Sequence, residues 1–321
     1  MRIFEGFAGY GGASFSLKRT NIRHEIVGYS EVDKFACQLY EANFNNSHNY
    51  GDISKINPNE LPDFDMFTGG FPCQPFSSAG MMQGENDIYG RGTLVYHILR
   101  ICKAKKPRYI LLENVKGILS KRFATTFEVI RNTLTDIGYG NIQYTILNTK
   151  DYGIPQNRAR VWIFAQLGGL PKDFNMIPPR VENCPTLGEF LDHNVPKELY
   201  LSQAQIAHLK EKHGIKTFVV DRPLCFDVYN KKIKTDDICV TLTQPEHNSI
   251  RVIEVPHDDG LEIVRKLTIP EQFRLMGFRN NEINFAGLSY SQLSKRAGNG
   301  WDINVVSRLL EHLSHQVNFN I

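Results

Sequence analysis

The residues of this 321-residue sequence with the most chemical potential lie in three short stretches. The first is Gly69-Gly70-Phe71-Pro72-Cys73-Gln74-Pro75-Phe76-Ser77, which sets one cysteine between two prolines directly after an apolar run, Phe64–Phe67, that reads as a buried strand. Rigid proline flanks with glycine behind them would hold the Cys73 side chain in one direction. Its thiolate could then act as a nucleophile. A cysteine in a turn is also commonly buried and inert, so its surroundings decide between the two readings. The second stretch is Glu113-Asn114-Val115, directly after the continuous apolar run Tyr109-Ile110-Leu111-Leu112, which is typical of a strand covered on both faces. That places a carboxylate after a dry strand, at the same sheet edge as Cys73, where it is either a working group or an acid tied up by a helix N-terminus. The third is Gln156-Asn157-Arg158-Ala159-Arg160. There the spacing of two points Arg158 and Arg160 to one face if the strand has begun, with two solvated arginines as the alternative.

These groups need a frame. Ile3–Phe7 reads as a first strand running into Ala8-Gly9-Tyr10-Gly11-Gly12-Ala13-Ser14 and then a helix to about Arg19, an order that suggests a cofactor cradle. Ser14 stands where a dinucleotide fingerprint would need its last glycine, which disfavours a nicotinamide. A second strand, Glu25–Ser30, ends at Glu31, positioned to hold a ribose hydroxyl pair or to cap the helix Lys34–Asn43. Gly51-Asp52-Ile53 closes a third equivalent loop. Three such loops at one edge of an open α/β sheet favour a nucleoside-like cofactor.

Ser77–Gly92 is too long and glycine-rich for a simple connection and reads as a functional loop. Helical periodicity covers Thr93–Lys105 and Phe123–Ile137, and strands are expected at Tyr144–Leu147 and Val161–Ala165. From Gln166 to Val264 the pattern breaks into short, proline-separated segments, a different kind of domain. Regularity returns at Arg265, with Thr268 as an N-cap ahead of Pro270 and Glu271 in a first turn. The chain closes with Gly298-Asn299-Gly300-Trp301 and an amphipathic helix to about His315. His312 and His315 share a face there without further ligands, so no metal site is expected.

With 41% hydrophobic and 22% charged residues, the composition is that of an ordinary globular protein of one large and one smaller domain. A net charge of +3 permits nucleic-acid binding without demanding it. The six cysteines form no Cys-x-x-Cys pair, so neither structural zinc nor a disulfide scaffold is indicated. The charged start Met1-Arg2-Ile3-Phe4-Glu5 and the lack of a long apolar stretch lead to the expectation of a cytoplasmic protein without a membrane segment.

In this order the motifs resemble those of the bacterial DNA cytosine-5 methyltransferases. The family's Phe-x-Gly-x-Gly-Gly is similar to Phe7–Gly12, its ribose-binding acid to Glu31, its adenine-flanking Asp to Asp52, and its Pro-Cys nucleophile to Pro72-Cys73. Its Glu-Asn-Val resembles Glu113–Val115, its Gln-x-Arg-x-Arg resembles Gln156–Arg160, and its Arg-x-Leu-Thr-x-x-Glu resembles Arg265–Glu271. Its Gly-Asn resembles Gly298-Asn299, and its Thr-Leu pair resembles Thr241-Leu242, where an ordinary strand is the alternative. Glu5-Gly6 departs from the usual Asp-Leu, and Gly300-Trp301-Asp302 from a small residue followed by apolar ones. These departures bear on cofactor affinity.

The resemblance implies an α/β fold. A Rossmann-like S-adenosylmethionine-dependent methyltransferase sheet would comprise residues 1–166 with about 290–321, and a smaller, mixed target-recognition domain about 167–289. It implies Cys73, Glu113, Arg158 and Arg160 as catalytic residues. S-adenosyl-L-methionine would be bound by Phe7, Gly9, Gly11, Gly12, Glu31, Asp52, Ile53, Pro72, Leu94 and Asn299, and double-stranded DNA by Gln74, Ser77, Gln156, Thr241 and Leu242. The protein would act as a monomer, with a restriction endonuclease of the same site as a separate partner. The same chemistry on transfer RNA is the rival reading, and a DNA-binding relative without catalysis is another. The size of the Gln166–Val264 region favours DNA, and the three intact catalytic groups favour an enzyme.

Overall fold

The computed structural model describes residues 1–44, 47–72, 94–244 and 250–319. Cys73, Gln74 and Ser77 lie outside the described residues. The chain divides into two compact units, residues 1–147, 159–179 and 306–321 in one, and residues 148–158 and 180–305 in the other.

The first unit is built on a six-stranded sheet of β1 (Arg2–Gly6), β2 (Glu25–Ser30), β3 (Met66–Gly70), β4 (Tyr109–Val115), β5 (Gln143–Asn148) and β7 (Ala159–Gln166). The two-residue β6 (Gln156–Asn157) belongs to the second unit. The order is β2-β1-β3-β4-β7-β5, with β1 to β4 mutually parallel and β7 antiparallel to β4. The central strands read as unbroken apolar runs because both faces are covered. Phe67, Ile110, Leu112, Ile163 and Ala165 all sit in one buried cluster with Val95, Ile98 and Leu99 of α3 (Leu94–Lys105) and Phe127, Ile130 and Leu134 of α4 (Ala124–Asp136).

Parallel pairing brings the carboxyl ends of four strands to one edge. Gly6 pairs with Ser30 and Gly69, and Gly70 pairs with Glu113. The sequence places Glu113 just after a strand, whereas the structure places it inside β4. The antiparallel ladder to β7 continues through Glu113–Trp162 to Val115–Arg160. That extension depends on a partner about fifty positions away, which local periodicity does not register. Likewise β3 begins at Met66, with Phe64 as a buried core residue ahead of it.

In the second unit, β8 (Leu224–Asp227), β9 (Lys232–Lys234), β11 (Ile250–Glu254) and β12 (Ile263–Arg265) form an antiparallel sheet in the order β12-β11-β8-β9. Two-residue β10 (Cys239–Val240) pairs separately with β6. Phe226, Ile253 and Val264 of the sheet pack with Ile206 of α5 (Gln203–His213) and with Phe218. The fully buried Arg265 guanidinium bonds both oxygens of Glu271 at 2.8 Å and also reaches Glu254, so the charge is buried with its partners. Thr268 is the N-cap of α6 (Ile269–Leu275) as expected, and with Glu271 it forms a reciprocal capping box. No helix among the described residues is long and apolar enough to cross a membrane.

Candidate functional site

At the end of β1 the chain turns through Phe7 and Gly9, both in the left-handed region (φ 54° and 57°), and Gly11 (φ 91°) caps α1 (Gly12–Lys18). A side chain at Gly11 would meet the Phe44 ring at 2.6 Å, whereas one at Gly9 would meet nothing within 4 Å among the described residues. Glu31 does not cap the following helix, α2 (Lys34–Glu41); Asp33 does, accepting from the amides of Phe35 and Ala36. The Glu31 carboxylate instead accepts from Gly9 N–H at 2.8 Å and from the amides of Val32 and Asp33 at 2.9 Å, tying the first two loops together. Asn49 fixes the same corner by bonding the Glu31 N–H and carbonyl.

In the third loop Asp52 accepts from the amide and hydroxyl of Ser54, which hold its carboxyl below the usual range. Arg100 of α3 reaches back to the carbonyls of Ile53 and Ile56, Ile53 is buried in the core, Leu94 packs against that core, and Pro72 is exposed. Asn49 and Arg100 are functional-loop supports that the sequence reading missed. Their signal is weak, because each acts on backbone brought close only by the fold.

The departure at Glu5-Gly6 has a packing cause. A Cβ on Gly6 would lie 2.6 Å from the Phe67 ring, which fills the space a larger residue would take. Beside it Glu5 is buried, accepts from the hydroxyls of Ser14 and Tyr40, and has its carboxyl pushed up from 4.5 to about 7 by burial, against those two lowering contacts. The folded state therefore holds this proton more tightly than the unfolded chain. The stabilisation is full below about pH 4.5 and is lost as pH rises toward about 7, a swing of roughly 3 kcal/mol. Urea unfolding at pH 5 and pH 8 tests this. Glu5→Gln, uncharged throughout, should gain stability relative to wild type at the higher pH, and a constant difference between the two proteins would refute the burial account.

At the carboxyl edge of β4, Glu113 Oε1 lies 3.0 Å from Arg160 Nε, with the two side chains 13% and 17% exposed. Burial pulls the Arg160 pKa down and the Glu113 charge opposes that. Asn114 is buried, and its amide donates to the Phe71 carbonyl at 2.9 Å while its oxygen accepts from Val115 N–H. Asn114 thus anchors the chain two residues before Cys73. The motif containing it is legible in the sequence, but this holding role is not.

In the second unit the strand has not begun at Arg158, since β7 starts at Ala159, so the same-face relation with Arg160 does not apply. The Arg158 guanidinium is buried and donates to the carbonyls of Leu242 (2.9 Å), Gly298 (3.1 Å) and Gly300 (2.8 Å). Gln156 is fully buried, donating to the Leu275 carbonyl and accepting from Leu242 N–H. Thr241 donates to the Asn157 carbonyl, and Leu242 is buried beyond the end of β10. Three motifs distant in sequence are therefore fastened together through backbone groups. Asn299 is exposed at the end of α7 (Tyr290–Asn299). At the second departure, Asp302 accepts from Val305 N–H and so caps α8 (Ile303–Val317).

Gly298 explains why its motif needs a glycine. A Cβ there would sit 2.3 Å from the Thr243 carbonyl oxygen. Gly298→Ala must push backbone apart and should cost about 1–3 kcal/mol, read as a drop in Tm; an unchanged Tm would show that this contact yields freely.

Residues 1–315 match the family model of the C-5 cytosine-specific DNA methylases. The chain is 33% identical over 322 residues to the Type II methyltransferase M.SsoII of Shigella sonnei, covering 97% of this chain and 79% of that protein. It is 34% identical to the Type II methyltransferase M.HaeII of Haemophilus aegyptius, covering 97% and 92%. Among solved structures, Dnmt2 methyltransferase of S. pombe superposes with a TM-score of 0.74 at 21% identity, covering 99% of this chain and 100% of that one, a likeness of fold. This chain belongs to the C-5 cytosine-specific DNA methylases.

Proposed function

We propose that the protein methylates carbon 5 of a flipped-out cytosine in a short sequence of double-stranded DNA, through a covalent bond from Cys73 to carbon 6. The observation that carries the reading is the Glu113–Arg160 pair at the strand edge where Gly70, three residues before Cys73, pairs with Glu113. The Type II names of the relatives support a role in restriction-modification, with any endonuclease acting on the same site as a separate protein.

The residues fit S-adenosylmethionine. Among the described residues nothing lies within 4 Å of the space beside Gly9, and the Glu31 and Asp52 carboxylates stand at successive loops of the same edge to accept from ribose and adenine. When bound, this group supplies a methyl activated by a positively charged sulfur. Cytosine carbon 5 is too weak a nucleophile to take that methyl unaided. The Cys73 thiolate adds to carbon 6, its electron pair forming the S–C6 bond and pushing density across the ring toward carbon 5 and nitrogen 3. Glu113, sharing a proton with nitrogen 3, holds the charge that develops there, and Arg160 donates to oxygen 2 while orienting Glu113. Once carbon 5 carries the methyl, a base removes its proton, the electron pair restores the ring double bond, and the S–C6 bond breaks to free Cys73.

Arg158 and Gln156, with their polar groups bonded to backbone, act as positioning residues for the loops bearing Thr241, Leu242 and Asn299. A base within a duplex cannot reach Cys73, so it must leave the stack at a cost of a few kcal/mol. Residues of about 167–289 supply the module that reads DNA, and residues 1–166 with about 290–321 the catalytic part.

Bisulfite sequencing of a plasmid incubated with the protein and S-adenosylmethionine tests the proposal. Protection should fall on cytosines within one short recurring motif. Uniform conversion of the plasmid alongside methylation of transfer RNA would replace DNA by RNA as the substrate.

A further inference from the structure

The β8–β9 hairpin of the second unit carries a surface that none of the motifs above uses. Its strands pair Cys225–Lys234, Phe226–Ile233 and Asp227–Lys232, and its tip is Val228-Tyr229-Asn230-Lys231. Asp227 fixes the tip, its two carboxylate oxygens accepting from the amide and side chain of Asn230 at 3.0 and 2.6 Å, and Lys231 takes the left-handed conformation that completes the turn (φ 55°). The tip is thus built rather than loose, yet its Tyr229 is 82% exposed. An aromatic ring presented on a fixed turn has a large face and little rotamer entropy to lose on contact.

Positive charge gathers around that ring. Lys231 and Lys232 are exposed on the hairpin, and α5 adds exposed His208 at its middle and Lys212 at its end. The two elements meet where the His213 ring stands edge-on to Phe226 at 6.0 Å, one rung from Asp227–Lys232. His213 responds to this neighbourhood, its pKa pushed down by burial and by the charges of Lys212, Lys231 and His208. The nearby acids are engaged elsewhere or few. Asp227 is buried in the turn, Asp236 pairs with Lys234, Glu262 with Lys210, and Glu211 is the acid of the last turn of α5. Among the described residues, Lys212, Lys231 and Lys232 form no ion pair.

We propose that this ridge, Tyr229 with Lys212, Lys231 and Lys232, grips the phosphate backbone of duplex DNA, with Tyr229 packing on a sugar or base. The inference rests on the DNA reading above and adds a sequence-independent contact to it. Lysine is a point charge without the planar fork that reads base edges, so the ridge anchors the complex and does not select the site. Each lysine that neutralises a phosphate releases counterion and steepens the salt dependence of binding by nearly one.

The test is binding of a fluorescent 30-base-pair duplex at several salt concentrations, with and without the methylated motif. Lys231→Gln combined with Lys232→Gln should weaken both duplexes alike, by about tenfold or more at low salt, and lower the slope of log K against log salt by about 1–2. Tyr229→Ala should weaken binding by about 3–10-fold with the slope kept, and Tyr229→Phe should retain affinity. All four residues are exposed, so an unchanged Tm separates these effects from unfolding. If wild type binds and methylates DNA while the variants match it in affinity and slope, the ridge is overturned and the DNA reading stands. If wild type fails to bind duplex DNA, or only RNA binding depends on the ridge, both are overturned.

Discussion

Cys73→Ser is expected to abolish methyl transfer, reducing it by at least about 10³-fold, since loss of a catalytic nucleophile is among the costliest single changes an enzyme can suffer. A serine hydroxyl stays protonated at neutral pH and is a far poorer nucleophile toward carbon 6 than a thiolate. The sharper readout is covalent. DNA carrying 5-fluorocytosine should trap wild-type protein in a complex that survives denaturing electrophoresis, only when S-adenosylmethionine is present, because fluorine cannot leave as the carbon-5 proton does. Cys73→Ser should form no such complex while still binding DNA. A band that persists in the variant would move the covalent bond to another residue and end the proposed mechanism.

The Glu113–Arg160 pair should show the second large effect. Both side chains are mostly buried at 3.0 Å, so truncating either removes a group aimed at developing charge and takes this ion pair from the other. Glu113→Ala and Arg160→Ala should each lower kcat by about 10²–10³-fold and cost up to about 3 kcal/mol in stability. The double variant separates these consequences. Its stability should recover part of the loss, because neither charge is then buried without the other, whereas its activity should stay as low as the worse single variant. Additive stability losses would show that the two side chains do not depend on each other in the folded protein. Glu113→Gln, which keeps the shape, should be more stable than Glu113→Ala yet still impaired in kcat.

Much of this was readable without coordinates because the information is local. Strand β2 falls on Glu25–Ser30, the bounds expected of it, and α3 and α4 fall within a residue or so of their periodic segments. Thr268 caps its helix with Glu271 because that bond spans only three residues. The motif order, each piece short and chemically constrained, was enough to point to the family that the comparisons show.

What residue types and short-range spacing determine, then, is which chemistry the chain carries and most of the elements that bear it. What the tertiary structure decided are relations between residues distant in sequence. Glu113 lies within a strand because β7 pairs with it, and Asn114 holds the Phe71 carbonyl. Gly6 is small because the Phe67 ring fills its place, and Arg158 spends its charge on carbonyls of Leu242, Gly298 and Gly300. Each depends on groups far apart in sequence brought within about 3 Å, a distance at which hydrogen bonds and steric contact act but which no local pattern encodes.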